Sequence, residues 1–233
     1  MERIQLDEFL RFHFLSNLQL SPDAQHAAFV VSKSNEEKDG YQAGIWTADL
    51  SSGECRPLTA GKDERSYLWL DDHSILFASK RESKKEPVDA YSTDYFSISL
   101  CGGEARKVMT IPAPVGAIKK LGEDTYLILA EYDNQLPEDF FNMSREERAK
   151  LLKSREEEKD YMVCDELPFW SNGVGVTNGK RDRLYLYHNC TNRFEPLTGP
   201  MYQLENYALS DDNKKLLYIG SEFKGVQSLK QEL

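Results

Sequence analysis

Leu20-Ser21-Pro22-Asp23-Ala24-Gln25-His26-Ala27-Ala28-Phe29-Val30-Val31 decides how the rest of the chain is read. A polar turn holding Pro and Asp supplies the dihedral angles of a reversal, and the apolar run behind it supplies a strand. The same order recurs three times. Asp71-Asp72-His73-Ser74 precedes Ile75-Leu76-Phe77-Ala78, and Gly122-Glu123-Asp124 precedes Thr125-Tyr126-Leu127-Ile128-Leu129-Ala130. Ser210-Asp211-Asp212-Asn213-Lys214-Lys215 precedes Leu216-Leu217-Tyr218-Ile219. Each turn follows a short strand-like piece (Leu18-Gln19-Leu20, Tyr67-Leu68-Trp69-Leu70, Ala117-Ile118 and Tyr207-Ala208-Leu209), so every unit opens with a hairpin.

The spacing between matching positions is 48 residues from Phe29 to Phe77 and 52 from Phe77 to Leu129. From Leu129 to Tyr218 it is 89, an interval that contains an insertion. A period of about 50 residues with several strands per unit is what a propeller blade produces. The apolar runs are nearly continuous rather than alternating, as expected of a strand covered on both faces by neighbouring blades. Residues 126–130 and 216–219 are read that way.

The second halves of the units agree. Residues 44–50 read as a strand, 51–54 as a tight turn and 55–59 as an edge strand. The pattern returns at 95–100, 101–104 and 105–108, and again at 183–188, 189–192 and 194–198. Charged residues and Pro in the last strands suit the exposed outer edge of a blade. The expected fold class is therefore all-β: a partial β-propeller of about three and a half to four four-stranded antiparallel blades with one helical insertion. Blade 1 spans about 16–60 and blade 2 about 66–109, within a single propeller region 1–233. Blade 3 spans about 115–199 with the insertion at 134–163, and about 204–233 begins a fourth.

Inside the insertion, Ser144-Arg145-Glu146-Glu147 is a capping box, with Ser144 as N-cap and Glu147 at the third helical position. Glu146 and Lys150 add a favourable pair one turn apart. Of the 16 residues in 145–160, 12 are charged, which makes this a solvated helix face. Two uses stay open: a bridge between parts of one blade, or a lid or docking element whose apolar side is Phe140, Phe141, Leu151 and Leu152.

Composition excludes several classes of function. The 233 residues carry 29 Lys and Arg against 39 Asp and Glu, a net charge of −10 that repels phosphate backbones and argues against nucleic-acid binding. No apolar run approaches the ~20 residues of a membrane helix. Met1-Glu2-Arg3-Ile4-Gln5-Leu6 lacks the apolar core of a signal peptide, so a cytoplasmic location is expected. Cys55, Cys101, Cys164 and Cys190 show no paired spacing and read as reduced, partly buried thiols. The glycosylation-type triplets Asn142-Met143-Ser144 and Asn189-Cys190-Thr191 have no secretory context.

Catalytic motifs are missing. None of the 14 glycines has Ser two positions later, so the Gly-x-Ser-x-Gly elbow of an α/β-hydrolase is absent. His13, His26, His73 and His188 fall in turns, strand ends or the N-terminal segment, without a nucleophile beside them. No phosphate loop occurs, and Gly173-Val174-Gly175 lacks the rest of a dinucleotide fingerprint. Asp71-Asp72-His73 and His188-Asn189-Cys190 are better read as turns than as metal ligands, since adjacent turn residues seldom converge on one ion. Glu156-Glu157-Glu158 is better read as solvated helix than as a seat for a peptide amine. The residues thus designate no catalytic group, no metal and no cofactor, and leave any substrate-binding residue unassigned.

Leu20-Ser21-Pro22-Asp23 leading into Ala27-Ala28-Phe29-Val30, then Ile45-Trp46 and Leu58-Thr59, resembles the blades of the prolyl oligopeptidase family. The closer likeness is to its acylaminoacyl-peptidase and dipeptidyl-aminopeptidase branch. Asp165-Glu166-Leu167-Pro168-Phe169-Trp170-Ser171-Asn172-Gly173-Val174-Gly175, followed by Arg181-Asp182-Arg183-Leu184-Tyr185, is similar to a segment of that branch's propellers. The likeness covers essentially the whole chain. The Ser-Pro-Asp turn is shared with TolB-like propellers, whereas the order of blade, blade, helical insertion and Leu-Pro-Phe-Trp segment is more specific.

The resemblance implies a propeller of about seven blades, followed by an α/β-hydrolase domain carrying Ser, Asp and His. None of those roles falls on a residue here, and Lys230-Gln231-Glu232-Leu233 lies where a further strand should begin. The expectation is the non-catalytic part of a serine peptidase acting on short peptides, inactive alone and gating access to the active site. The alternative is a stand-alone TolB-like propeller that binds a protein or peptide. A partial ring is also expected to self-associate through its bare blade faces. Ala24 stands where the family's turn usually has Gly, which points to a different turn type.

Overall fold

Two turns far apart in the chain close by the same side-chain chemistry. The Ser21 hydroxyl donates to the Asp23 carboxylate at 2.6 Å and accepts the His26 N–H at 2.9 Å, while the Gln25 N–H donates to Asp23 at 3.0 Å. Ser210, Asp212, Lys215 and Lys214 repeat these bonds at 2.6, 3.0 and 3.1 Å. These donors hold the Asp23 and Asp212 carboxyls below the ordinary aspartate range, the serine hydroxyl contributing most. The expectation of a different turn at Ala24 is corrected: Ala24 has φ +53° and Asn213 φ +56°, so the turn keeps its left-handed residue. The hydrogen bonds around Ala24 over-determine that conformation despite its Cβ.

The structure is a computed structural model describing residues 7–35, 40–60, 63–81, 87–158, 160, 162–172 and 174–227. Met1 to Leu6, Gly173 and the Lys230-Gln231-Glu232-Leu233 end lie outside the described residues. The fold is all-β, a partial propeller with a helical insertion. It divides into two units, Met1–Ser83 with Thr93–Thr110, and Lys84–Ser92 with Ile111–Leu233.

The first unit holds two four-stranded antiparallel sheets. One runs in the order β1 (His13–Leu20), β2 (His26–Asn35), β3 (Gly40–Asp49), β4 (Cys55–Pro57). The other runs β5 (Tyr67–Asp71), β6 (Ser74–Ala78), β7 (Thr93–Ser99), β8 (Arg106–Ile111). Ala28 and Val30 of β2 and Ala43 and Ile45 of β3 pack against Tyr67, Ile75, Phe77, Phe96 and Ile98. Small residues on one sheet receive large ones from the next, which lets the layers interdigitate. The Tyr67 hydroxyl lies 2.5 Å from the Asn17 carbonyl and 2.6 Å from that of Ala28, tying the second sheet to the first. Below this layer the fully buried Glu64 carboxylate accepts from Thr59 at 2.9 Å, Ser79 at 3.1 Å and Arg81 at 3.1 Å. A buried carboxylate survives only with such partners.

The second unit begins with the single turn α1 (Pro87–Ala90) and the hairpin of β9 (Val115–Lys120) and β10 (Thr125–Asp133). α2 (Arg145–Glu157) and a miniature hairpin, β11 (Trp170–Ser171) with β12 (Gly175–Val176), precede β13 (Lys180–His188), β14 (Arg193–Pro196), β15 (Tyr202–Leu209) and β16 (Leu216–Glu222). The main sheet has the order β14-β13-β10-β9, and β15 and β16 pair separately. In β10 the run Tyr126-Leu127-Ile128 is buried without interruption. Tyr126 and Ile128 lie opposite Tyr187 and Tyr185 of β13. Phe194 sits 4.8 Å from the Tyr187 ring, and Phe141 sits 5.7 Å from that of Tyr185.

α2 starts on the Ser144/Glu147 capping box, both reciprocal bonds being present. Phe140, Phe141 and Leu152 are buried within this unit, and Arg148 donates to the Pro112 carbonyl at 2.9 Å. Three of the four apolar residues considered for a lid are therefore already occupied and Leu151 is half-buried, leaving Glu156, Glu157 and Glu158 facing solvent. Asn142 is spent on the backbone of Phe194, donating at 2.9 Å and accepting at 2.8 Å.

Two expectations differ from the structure. Residues 216–219 are not covered on both faces: Leu217 is 57% exposed. β15 and β16 form a two-stranded sheet among the described residues, and β15 meets β13 on one side only. All four cysteines are free and exposed rather than partly buried, because each lies at or beside a turn or in an irregular segment.

A left-handed backbone costs a non-glycine residue about 1–2 kcal/mol, of which glycine's looser unfolded chain takes back roughly 0.4–1 kcal/mol. Ala24→Gly is therefore expected to stabilise the chain by about 0.5 kcal/mol, and Ala24→Val to destabilise it. Urea midpoints of the three chains check the order.

Candidate functional site

The long connection from β10 to β13 returns to the sheet through a knot of buried polar groups. The Asn178 side-chain carbonyl accepts the backbone N–H groups of Asp165 and Glu166, both at 3.0 Å, and its amide donates to the Asp165 carboxylate at 3.1 Å. Glu166 accepts the Gly179 N–H at 2.7 Å and Arg181 Nη2 at 2.7 Å. Gly179 has φ +71°, and a Cβ there would collide with the Asn134 side chain, so glycine is required where the backbone turns toward Glu166. The Arg181 guanidinium lies 3.9 Å from the Phe223 ring centroid, a close cation–π contact.

This anchorage holds a rigid exposed strip. The Leu167 N–H donates to the Gly225 carbonyl at 2.8 Å, and Gln227 N–H returns to the Leu167 carbonyl at 2.9 Å. The Leu167–Pro168 bond is cis. Trp170 then pairs with Val176 and Ser171 with Gly175. Leu167, Phe169, Trp170 and Val174 all stand exposed on this strip, Trp170 at 54%.

The strip forms one lip of an open cavity of about 300 Å³ within the second unit. Pro168, Val174 and Phe223 supply apolar wall, and Glu131, Asp182 and Gln203 line it together with the cations Lys180 and Arg181. Asp182 stands directly opposite Glu131 across β10 and β13. Lys180 Nζ lies 3.8 Å from Glu131. The surrounding protein shields Asp182 from bulk water and raises its carboxyl pKa, although the side chain keeps an open side. The cavity is near the lower limit of small-ligand pockets, about 300–1,000 Å³, and it can seat one side chain or a small polar group.

The residues weighed for chemistry in the sequence lie elsewhere. The Asp71 carboxylate is committed to its own turn, accepting from the His73 N–H at 2.8 Å and the Ser74 hydroxyl at 2.6 Å. His73 faces the ring of His26, 6.0 Å away. His188 Nδ1 lies 3.4 Å from the Thr125 hydroxyl and its Nε2 3.8 Å from Glu195, both longer than a general base needs. Among the described residues no three His, Cys, Asp or Glu side chains converge as metal ligands would. No helix among them is long and apolar enough to cross a membrane. The cavity residues escaped the sequence reading because they come from four separate stretches. The one local signal was the charged Arg181-Asp182-Arg183 heading an otherwise apolar strand.

No protein-family model matches the chain. It is 27% identical over 221 residues to the uncharacterized peptidase YuxL of Bacillus subtilis (strain 168), covering 92% of this chain and 31% of that protein. An acylaminoacyl peptidase from Pyrococcus horikoshii superposes with a TM-score of 0.61 at 14% identity, over 96% of this chain and 30% of that one. Tricorn protease superposes at 0.53 and 13% identity, over 91% of this chain and 20% of that one. The chain resembles the propeller region of peptidases. It spans about a third of the curated relative it matches, 31% of that length. The chain shares its fold with those propeller regions, and its cavity belongs to the end of the third sheet opposite the Asp124 turn.

The Glu166–Arg181 pair is almost fully buried, with 4% and 3% of the side chains exposed. Removing one partner strands a charge, so Glu166→Ala is expected to cost about 3–5 kcal/mol. Replacing both, Glu166→Leu with Arg181→Met, should recover most of that loss. Guanidinium denaturation of the single and double variants checks both directions.

Proposed function

We propose that this chain is the non-catalytic, N-terminal propeller part of a serine peptidase of the acylaminoacyl-peptidase or dipeptidyl-aminopeptidase type. The observation that carries the reading is the joint one of fold and extent. The chain follows acylaminoacyl peptidase over 96% of its own length while accounting for 30% of that enzyme, and it contains no Gly-x-Ser-x-Gly elbow. In the full-length protein, bond chemistry would fall to a Ser, Asp and His set outside residues 1–233. The propeller would admit short peptides, exclude folded chains by size and position what enters, in a cytoplasmic enzyme that needs no cofactor. Its contribution is then access and orientation rather than covalent chemistry.

A second reading has its own support in the exposed Phe169 and Trp170 strip, which suits a TolB-like propeller acting as a protein- or peptide-binding module. The coding frame separates the two. Continuation into further blades and a nucleophile elbow supports the peptidase, and a stop codon directly after Leu233 overturns it in favour of the binding module.

Purified chain is expected to show no turnover of aminoacyl or acylaminoacyl chromogenic substrates, and turnover above background would overturn the non-catalytic role. We also propose that the chain self-associates, two partial rings covering one another's bare blades. β1 exposes Leu15 at 68% and Leu18 at 69%, apolar surface that soluble monomers seldom leave in water. Light scattering at tens of micromolar is expected to give a mass above the monomer; a monodisperse monomer overturns self-association.

A further inference from the structure

The cavity of the second unit holds a charge that its own ion pairs leave uncompensated. Arg181 is matched by Glu166 at 2.7 Å, and Lys180 by Glu131 at 3.8 Å. The Asp182 side chain makes no hydrogen bond or ion pair among the described residues. It also faces Glu131 directly across two neighbouring strands, and like charges in that position weaken a sheet. A cation shared between the two carboxylates would relieve that repulsion.

The walls narrow the choice of cation. Pro168, Val174 and Phe223 line the approach. A bare inorganic ion gains nothing from apolar walls, whereas a long basic side chain gains along its whole stem. The volume of about 300 Å³ suits one such side chain rather than several residues.

We propose that this cavity is a subsite for a single basic side chain, Lys or Arg, of a bound peptide, with its stem along Pro168 and Val174 and its head between Asp182 and Glu131. The inference rests on the peptide-handling role above and adds a preference to it.

The test uses the purified chain and two blocked pentapeptides, acetyl-Ala-Ala-Arg-Ala-Ala-amide and its citrulline counterpart, which keeps the shape and removes the charge. Calorimetric titration is expected to show the arginine peptide binding about tenfold more tightly. Asp182→Asn should abolish that preference while circular dichroism stays unchanged. If Asp182→Asn does not fold, Glu131→Gln carries the same test, because Glu131 is exposed and its Lys180 partner is too. Equal affinities in the unmodified chain, or a preference that survives the substitution, overturn the basic subsite and leave peptide handling standing. Failure of both peptides to bind overturns the subsite and the peptide-handling role together.

Discussion

Face-to-face stacking of four-stranded sheets is the constraint on which the remaining features depend. Neither row of side chains on β6 reaches water: Ile75, Leu76 and Phe77 are all buried in succession. Polar groups at the ends of such strands must then find partners inside the protein, since each unpaired buried group costs about 1–3 kcal/mol. The first unit answers with Glu64, Thr59, Ser79 and Arg81. The second answers with Arg183, whose guanidinium donates to the Thr198 carbonyl at 2.7 and 3.0 Å and lies over the Tyr132 ring.

The same demand explains a repeat subtler than the aspartate turns. Pro57-Leu58-Thr59 and Pro196-Leu197-Thr198 end their sheets in the same way. The Thr59 hydroxyl accepts the Ile45 N–H at 3.0 Å, and the Thr198 hydroxyl accepts the Leu184 N–H at 3.2 Å. Leu58 and Leu197 each donate 2.8 Å bonds back to those same residues, Ile45 and Leu184. A buried threonine thus replaces the ladder partner that the short outer strand no longer supplies.

Local chemistry was legible in the sequence and distant chemistry was not. The Ser21 and Ser210 turns, the Ser144 capping box and the continuous β10 run depend on neighbours within a few residues, so pattern alone finds them. Ala24 was misjudged because residue type argued against positive φ, while the hydrogen bonds on either side of it argued harder. Residues 216–219 have the composition of a doubly covered strand, and only the exposure of Leu217 reveals that one face is open. Glu166 and Arg181 are fifteen residues apart across a hairpin. The cavity gathers Glu131, Pro168, Asp182, Gln203 and Phe223, whose sequence separations carry no period at all.

The third sheet keeps its paired strands apart from its long insertion. Its β9–β10 end closes in a short turn, where the Asp124 carboxylate accepts the Cys190 N–H at 2.7 Å. Its other end carries all of residues 134–179, with the helix, the miniature hairpin and the cavity lip. An insertion of that length between two paired strands is tolerated because β10 and β13 stay in unbroken register from Thr125–His188 to Asp133–Lys180. The cost of closing a longer loop grows only slowly with its length. Exposed aromatics can then be held by a buried Glu166–Arg181 clamp instead of by the sheet itself. Changes at the lip, at Pro168 or Val174, therefore leave the paired strands β10 and β13 untouched.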